Sequence, residues 1–498
     1  MARTEAFDVV VVGGGAAGCV VAARLAERVS RSVLLLEAGP DRRSDLPDEM
    51  RDGWTIRSDQ FDWGYTSVPG PGGVTQSVRR TKLLGGTSWL TRFTPRGHPA
   101  DYDGWAALGN AGWRFDDVLP YFVRLETDLD FGDQPWHGDS GPIPSTRYLD
   151  VEQVEIGAAG LEALEATGFP LVEDHNRPGA VGAGRMPMNS RDGVRVTTAD
   201  AYLPLGRTPQ NLTIRTNVLV DLILFEGVRA SGVRLLDGTV IEAGWVVLSA
   251  GTYGSPPILM RSGIGPAEHL GGLDVPVVVD LLGVGENLAD HPSVWVECGY
   301  SGAGRSAPVL HSIATFHSAG RSTDDTPDLM FWLCDPIGTA DEPAFFDIDI
   351  VLLRPNARGR VRLRSNDPRE GPSIELPVLT ASDVARLVEA YRRALDVANR
   401  PEVRRLCSGP APAEPPHSEL ETFVRTEAYS LPHVVGTCAM GLRPEDGAVV
   451  DPSGRVHGTE RLSVVDASIM PDVPSGFTHI PTIMIAERLS EQLASLQL

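Results

Sequence analysis

The sequence predicts an α/β fold, α+β overall, that contains more than one domain. Three observations lead to this prediction. The chain has 498 residues, more than one simple hydrophobic core organises. An apolar strand runs into a glycine-rich turn and a helix at the start of the chain, and short apolar runs typical of strands recur at 211–250 and 346–364.

The first element is a strand, turn, helix and strand over residues 8–37. Four valines precede Gly13-Gly14-Gly15-Ala16-Ala17-Gly18, and a second apolar run ends in Glu37. Gly13 permits the turn, Gly15 lets the backbone approach a pyrophosphate, and Gly18 lets the helix pack close to the strand. Unpaired N–H groups at the helix N-terminus suit phosphates, and Glu37 can accept hydrogen bonds from ribose hydroxyls. A glycine turn alone is weak evidence, but the complete unit predicts a Rossmann-type dinucleotide site.

The later elements are interleaved rather than arranged as two successive domains. Strands are predicted at Leu212-Thr213-Ile214, Val218-Leu219-Val220, 228–233, 245–248, 347–350 and 361–363. Helical spacing predicts a helix near 382–406, and the Pro-rich segment 409–416 connects it to a helix that starts near Ser418. We therefore expect the dinucleotide-binding domain to be assembled from separated segments.

Composition excludes several classes of function. The net charge of −22 and the pI near 4.9 argue against nucleic acid or an anionic membrane as partner. No apolar run reaches the roughly 20 residues that a membrane-spanning helix needs. The five cysteines are scattered without metal-ligand spacing, which favours reduced thiols and no metal site. The expected protein is soluble and cytoplasmic.

Four stretches beyond the first unit carry a family resemblance. They are Lys82–Ser88 with its continuation Arg96–Asp103, Gly251–Gly265, Gly283–Pro292, and a C-terminal block with His433–Thr437, Val465–Ser468 and His479–Thr482. In this combination and order the chain resembles the glucose-methanol-choline (GMC) oxidoreductases, a family of flavoenzymes. The resemblance implies FAD rather than NAD as cofactor. It also implies a small alcohol as substrate, with O₂ or another molecule as electron acceptor.

The resemblance further implies which residues hold FAD. The expected contacts are Gly13, Gly15, Ala16, Ala17, Gly18, Glu37, Ala38, Leu84, Gly85, Gly86, Thr87, Ser88, Thr91, Val220, Asp466, Ala467, His479 and Ile480. Alone, Gly85–Ser88 could equally form a helix N-cap, and Val220 could be a plain buried strand residue. Leu90 stands where some family members link the flavin covalently to a histidine. Non-covalent FAD is therefore expected.

Two of the 11 histidines are the candidate catalytic residues. Alcohol oxidation needs a base for the hydroxyl proton while the carbon gives a hydride to flavin N5, and neutral histidine suits that role. His433 and His479 match the two active-site positions of the family, which implies that His433 is the base and that His479 hydrogen-bonds the substrate oxygen. His98, His137 and His291 are expected to be structural.

The sequence leaves one alternative function open. A lyase on the same scaffold would use histidine acid–base chemistry and keep FAD in a structural role, and fold alone does not exclude it. The expected FAD-binding domain comprises residues 1–125, 203–300 and 430–498. The expected substrate-binding domain, with an antiparallel sheet, comprises 126–202 and 301–429.

Overall fold

The computed structural model describes residues 5–28, 31–51, 61–70, 73–153, 155–302, 310–322, 325–334 and 345–495. Two seven-stranded sheets organise these ranges. The α-helices are Ala16–Arg28, Asp48–Arg51, Pro99–Ala107, Phe115–Leu125, Glu155–Ala166, Thr198–Tyr202, Ser255–Arg261, Ala267–Gly271, Ala381–Ala398, Pro401–Arg404, His417–Glu427 and His479–Ala494. Short 3₁₀ helices are Gly86–Trp89, Pro444–Asp446 and Ala467–Ile469. None of these described helices combines the length and apolar character needed to cross a bilayer.

The first sheet confirms the predicted strand–turn–helix–strand unit. Its order is Leu212–Arg215, Val33–Leu36, Glu5–Val12, Val240–Leu248, Arg229–Leu235 and Val220–Glu226, with Leu462–Val464 beside Val240–Leu248. The strands around Glu5–Val12 are parallel, whereas the last two pair antiparallel. Parallel strands covered on both faces are continuously apolar, as the buried valines 9–12 are here. Their carboxyl ends meet at one edge, where ligands bind in such sheets.

The second sheet is antiparallel. Its order is Cys407–Ser408, Pro292–Tyr300, Phe345–Leu352, Leu329–Leu333, Ser312–Phe316 and Ala183–Arg185, with Tyr429–Ser430 beside Pro292–Tyr300. The helix Ala381–Ala398 packs with Leu387 and Val388 against one face through Ile348 and Ile350. The other face is free to form the wall of a cavity.

The remaining strands form small pairs. They are Glu126–Asp128 with Ile143–Ser145, Ser190–Arg191 with Val194–Arg195, Ile264–Gly265 with Val279–Asp280, and Arg360–Arg362 with Ser373–Glu375. We propose to keep the domain boundaries predicted from the sequence, with one change. The strand Pro292–Tyr300 belongs to the antiparallel sheet and is therefore assigned to the substrate-binding domain.

One predicted helix is shorter than expected. The helix near 382–406 ends at Ala398, and a separate helix begins at Pro401. Proline has no backbone N–H to continue the ladder, and it disfavours helical backbone at Arg400 before it, so the break follows from the sequence. The five cysteines are all free thiols, as expected.

The last helix is tied to three distant parts of the chain through Glu487. This carboxylate is fully buried, accepts hydrogen bonds from Arg24 and Tyr202 at 2.8 Å, and forms an ion pair with Arg124 at 2.8 Å. Buried carboxylates persist only when such partners compensate their lost hydration. The His479–Ala494 helix is thereby held against the first helix and the Phe115–Leu125 helix.

His137 organises a buried ionic cluster away from the sheets. Its ring nitrogens lie 2.7 Å from Glu126 and 3.0 Å from Asp174, and Arg147 bridges Asp174 and Asp128. Burial alone would lower the pKa of His137, but the hydrogen bonds to Asp174 and Glu126 outweigh it and raise the pKa to about 9. Both ring nitrogens of His137 are paired with carboxylates and Asp128 is paired with Arg147, so we assign the group Glu126, Asp128 and His137 a structural role.

The His137 cluster predicts a loss of stability at alkaline pH. The folded pKa of about 9 lies above the ordinary value of 6.5, so the contribution is complete below about pH 6.5 and is lost as pH rises through 9. We expect His137→Gln to remove roughly 2–3 kcal/mol of the free energy of unfolding at pH 6.5 and much less at pH 10. Denaturant unfolding at both pH values measures this. His417→Gln, at an exposed histidine, is the control, and an equal loss at both pH values contradicts the assignment.

Candidate active site

A cavity of about 1190 Å³ lies between the carboxyl ends of the first sheet and the free face of the second sheet. The first sheet contributes the residues that follow its strands, including Gly13, Glu37, Ser249 and Asp466. The second sheet contributes side chains from its strands. Both candidate histidines, His433 and His479, line this cavity.

Gly13, Gly15 and Gly18 of the first turn are each required for a different structural reason. Gly13 has φ +98°, and a Cβ there would lie 2.5 Å from the Ser249 carbonyl oxygen. A Cβ on Gly18 would lie 1.8 Å from the Gly13 carbonyl oxygen, so this glycine sets the close approach of helix and strand. A Cβ on Gly15 would meet no atom within 4 Å, because Gly15 faces the cavity. Only Gly15 is therefore kept free for a ligand rather than for packing.

Glu37 lines the cavity but already accepts two backbone hydrogen bonds. Its two oxygens accept from the N–H groups of Gly14 and Gly39, each at 2.7 Å. Burial raises the pKa of Glu37 to about 7, although these N–H groups oppose the shift. The carboxylate holds the glycine turn in shape, and Glu37 is also part of the cavity lining.

The second predicted segment approaches the glycine turn closely. A Cβ on Gly86 would lie 2.7 Å from the Gly15 Cα, so a glycine at position 86 lets the two segments meet. Thr87 and Thr91 line the cavity. The Ser88 hydroxyl also lies at the wall, but it donates to the Gly85 carbonyl oxygen at 2.6 Å and thereby closes the turn.

Asp466 joins the two segments that form the floor of the cavity. It is buried, and it accepts from the Ser255 hydroxyl at 2.6 Å and from the N–H groups of Gly251 and Ser468 at 2.9 and 2.8 Å. Its side chain therefore positions backbone. Ala467 and Val220 complete the wall on either side.

His433 is held by an adjacent aspartate–histidine pair. Asp290 Oδ1 accepts from the backbone N–H groups of both His433 and His291 at 2.8 Å. The Nδ1 atoms of the two histidines are 3.1 Å apart, and their rings are nearly perpendicular. Burial, with smaller effects of His291 and Arg80, lowers the pKa of His433 well below its usual value. His433 is therefore neutral at physiological pH, and its ring is oriented.

His479 begins the last helix and is also neutral. It is buried, and burial with a smaller effect of Arg195 lowers its pKa to about 3. Its Nε2 atom has no hydrogen-bond partner among the described residues. A buried polar atom without a partner is costly. Since His479 lines the cavity, this atom is suited to a ligand.

Most of the predicted site residues line the cavity, and four lie behind its lining. Those at the wall are Gly13, Gly15, Ala16, Ala17, Glu37, Ala38, Gly86, Thr87, Ser88, Thr91, Val220, His433, Asp466, Ala467 and His479. Gly18, Leu84, Gly85 and Ile480 lie behind it, where they support the turns and the last helix.

Sequence reasoning missed Asp290 and His291 as part of the site. It assigned His291 a structural role, whereas the ring contacts His433. The adjacent acid and imidazole at 290–291 were the only local signal. His98, in contrast, caps the Pro99–Ala107 helix as a structural residue, because its ring accepts from the Ala100 N–H.

A Rossmann-type turn joined to a cavity that His311, His433 and His479 line is the arrangement of a dinucleotide-dependent oxidoreductase. The comparisons with known proteins agree. The GMC oxidoreductase family models match residues 7–293 and 355–486. The chain belongs to the GMC oxidoreductase family and is an FAD-dependent alcohol oxidoreductase.

Individual relatives resemble the chain over nearly its full length. It is 34% identical to 5-(hydroxymethyl)furfural oxidase of Methylovorus sp. (strain MP688), over 98% of both chains. It is 35% identical to oxygen-dependent choline dehydrogenase 1 of Chromohalobacter salexigens, over 99% of this chain and 96% of that one. The solved structure of pyridoxine 4-oxidase from Mesorbium loti has a TM-score of 0.90 at 30% identity, over 99% of this chain and 100% of that one.

Proposed function

We propose that the protein oxidises the CH–OH group of a small alcohol to a carbonyl, with His433 as the base. The observation that carries this proposal is the pair of neutral histidines at one cavity, of which His479 Nε2 is buried and unpartnered within the described chain. A neutral imidazole can take a hydroxyl proton, and an unpartnered ring nitrogen can bind the substrate oxygen.

The residues at the wall fit FAD. The open space at Gly15 and the N-terminus of the Ala16–Arg28 helix, which has no acidic residue in its first turn, suit a pyrophosphate. Glu37 and Ala38 would hold the ribose, Val220 would contact the adenine, and the segments at Gly86 and Ala467 would flank the rest. When bound, FAD supplies the acceptor for the hydride of the alcohol carbon.

The contact between His291 and His433 defines where the base accepts its proton. Burial lowers the pKa of His291 to about 3 against the smaller effect of the Pro474 and Leu353 backbone carbonyls, and His291 Nε2 has no hydrogen-bond partner among the described residues. The neutral ring carries one proton, which we assign to Nε2, and this leaves His291 Nδ1 to accept from His433 Nδ1–H across 3.1 Å. His433 Nε2 then carries the free lone pair that takes the substrate proton. His291 thereby positions the base.

His479 acts on the same oxygen from the start of the last helix. We assign its Nε2 a proton, so that it donates a hydrogen bond to the substrate hydroxyl oxygen. This bond strengthens as negative charge grows on the oxygen when the proton leaves. His433 thus removes the hydroxyl proton, and His479 orients and polarises the hydroxyl.

Anaerobic mixing with alcohols tests the proposed function. We expect at least one member of a library of primary alcohols to bleach the flavin absorbance, and the matching carbonyl product to form in equal amount. Re-oxidation of the flavin on admitting air then shows whether O₂ is an acceptor. A lyase converts its substrate with unchanged flavin absorbance, so turnover without bleaching contradicts the proposal.

We further propose that FAD is bound non-covalently. Leu90 lines the cavity at the linkage position, and its side chain has no nucleophilic atom. The purified protein is expected to be yellow, and acid or heat precipitation should release its FAD into the supernatant. Absorbance and fluorescence of the two fractions measure the release. Flavin that stays with the washed precipitate contradicts non-covalent binding.

A further inference from the structure

The free face of the second sheet forms a wall of unusual composition. It presents Trp295, Trp332, Cys334, Asp347 and Asp349 to the cavity. Two carboxylates thus share a mostly enclosed surface with two indole rings. The function proposed above uses none of these side chains.

The strand register fixes how these side chains are arranged. Asp349 is the direct cross-strand neighbour of Trp295 on one side and of Trp332 on the other. Cross-strand neighbours share a face of the sheet, with Cβ atoms about 5 Å apart. The carboxylate of Asp349 therefore lies between two aromatic rings, and Asp347 follows on the same face, two residues away.

In the described part of the chain these two carboxylates form no ion pair, although Arg92 lines the same cavity and its charge acts on Cys334. Among the described residues neither aspartate lies within ion-pair distance of a lysine, arginine or histidine. Asp349 accepts only from neutral groups, the Tyr429 hydroxyl at 2.8 Å and the Cys334 thiol at 3.7 Å. One oxygen of Asp347, Oδ1, is buried with no hydrogen-bond partner in the described part of the chain. A buried polar atom without a partner is costly, so Asp347 Oδ1 points to a ligand.

The electrostatics agree with this geometry. Burial, and then the charges of Asp349 and Glu297, raise the pKa of Asp347 to about 7. Burial raises the pKa of Asp349 to about 6 against the hydrogen bonds from Tyr429 and Cys334. Burial is the main cause of both shifts, and a bound cation would oppose them.

The wall is continuous with the candidate histidines. The ring of Trp332 lies 5.8 Å from that of Phe477, which in turn lies 4.6 Å from the ring of His433. Phe477 precedes His479 by two residues. A small molecule whose hydroxyl is at His433 and His479 can therefore place a second group against the aspartates.

We propose that this wall binds the protonated amine of an amino alcohol substrate, with Asp347 and Asp349 as hydrogen-bond acceptors and counter-charges and with Trp295 and Trp332 as flanking rings. The unpartnered Asp347 oxygen can accept a hydrogen bond from an N–H donor. A primary or secondary ammonium has such a donor, and a quaternary ammonium lacks one. The indole faces add cation–π attraction, which is strongest for Trp. This inference rests on the proposed function, because it names the substrate class of the same cavity.

A matched substrate series tests the proposal on the holoenzyme. Linear amino alcohols of two to five carbons are compared with alkanols in which a methyl group replaces the amine. We expect the best amino alcohol to exceed its alkanol at least about tenfold in kcat/KM, since charge-assisted hydrogen bonds have that magnitude. The trimethylated analogue should be poorer than the amine, and a trimethylated analogue that is better overturns the assigned N–H donation.

Three variants distinguish amine binding at Asp347 and Asp349 from a general effect of negative charge on the substrate preference. Asp347→Asn and Asp349→Asn should each reduce the preference for amine over alkanol by about ten- to hundredfold. Glu297→Gln is the control, because this exposed carboxylate is the cross-strand neighbour of Asp347 but does not line the cavity. An unchanged preference in both aspartate variants overturns the proposal.

A binding measurement without turnover distinguishes this inference from the proposed function. Propylammonium chloride has the cation but no hydroxyl, and it should raise the Tm of the wild type and not that of Asp347→Asn, at constant ionic strength. If propylammonium binds in this way and no alcohol bleaches the flavin, the wall is supported and the proposed function fails. If alkanols bleach the flavin as fast as amino alcohols and propylammonium has no effect, the wall proposal fails and the proposed function stands.

Discussion

Replacing His433 with alanine is expected to slow substrate-driven flavin reduction by about 10²–10⁴-fold while FAD content stays at the wild-type level. The imidazole lies in the cavity wall, neutral and oriented by His291 and by the Asp290 contact to its backbone. Alanine keeps that backbone contact and removes only the proton acceptor. Rapid mixing of anaerobic enzyme with substrate, followed at the flavin absorbance maximum, measures the rate.

Two further variants show whether the loss of rate is specific to His433. His479→Ala should slow reduction less, because it removes a hydrogen bond rather than the base. His317→Ala changes a histidine outside the cavity that bonds the Asp325 carbonyl oxygen, and it should have no effect. Because the pKa of His433 is lowered, its neutral form persists as pH falls through 6.5, and this group should cause no loss of rate there. A wild-type rate in His433→Ala at every pH would show that His433 is structural, and His479 would become the first candidate for the base.

Replacing Gly15 with valine is expected to remove most of the bound FAD while the protein still folds. A Cβ at this position meets no protein atom within 4 Å, so the substitution causes no clash in the chain itself. The valine would instead occupy the approach of the pyrophosphate. Loss of two charge-assisted hydrogen bonds, about 1.5–3 kcal/mol each, weakens binding by about a hundredfold or more. Flavin absorbance per protein and far-UV circular dichroism measure the two effects separately.

Two other glycines make the Gly15 result specific. Gly104 is exposed in the Pro99–Ala107 helix, and a Cβ there also meets no atom within 4 Å, so Gly104→Val should keep the full FAD content. Gly18→Val should impair folding itself, because its Cβ would lie 1.8 Å from the Gly13 carbonyl oxygen. Full flavin content in Gly15→Val would mean that the dinucleotide does not lie at this turn.

The sequence predicted those parts of the site whose structure depends on residues close together in the chain. The turn at Gly13–Gly18 follows from valine runs, glycine spacing and Glu37, all within one supersecondary unit. The helix end at Ala398 was equally local, since Pro401 marks it, but the longer apolar periodicity concealed it. His433 and His479 required the family motif, because a histidine in isolation does not indicate its neighbours.

The contacts that depend on tertiary structure could not be predicted from the sequence. His291 and His433 meet although 142 positions separate them. The position of Asp349 between two tryptophans depends on the register of three strands, Pro292–Tyr300, Leu329–Leu333 and Phe345–Leu352. Glu37 was correctly placed near the cavity, but its two backbone partners depend on the detailed shape of the turn.

The attachment of the last helix through Glu487 has a consequence for synthesis of the chain. The glycine turn leaves the ribosome first, and His433, Asp466 and His479 leave it hundreds of residues later. The strand Leu462–Val464 and the His479–Ala494 helix must both dock onto elements made at the start. A nascent chain therefore holds an incomplete dinucleotide site until these later segments emerge. We expect cofactor retention and proton-transfer chemistry to be acquired together, once they have docked.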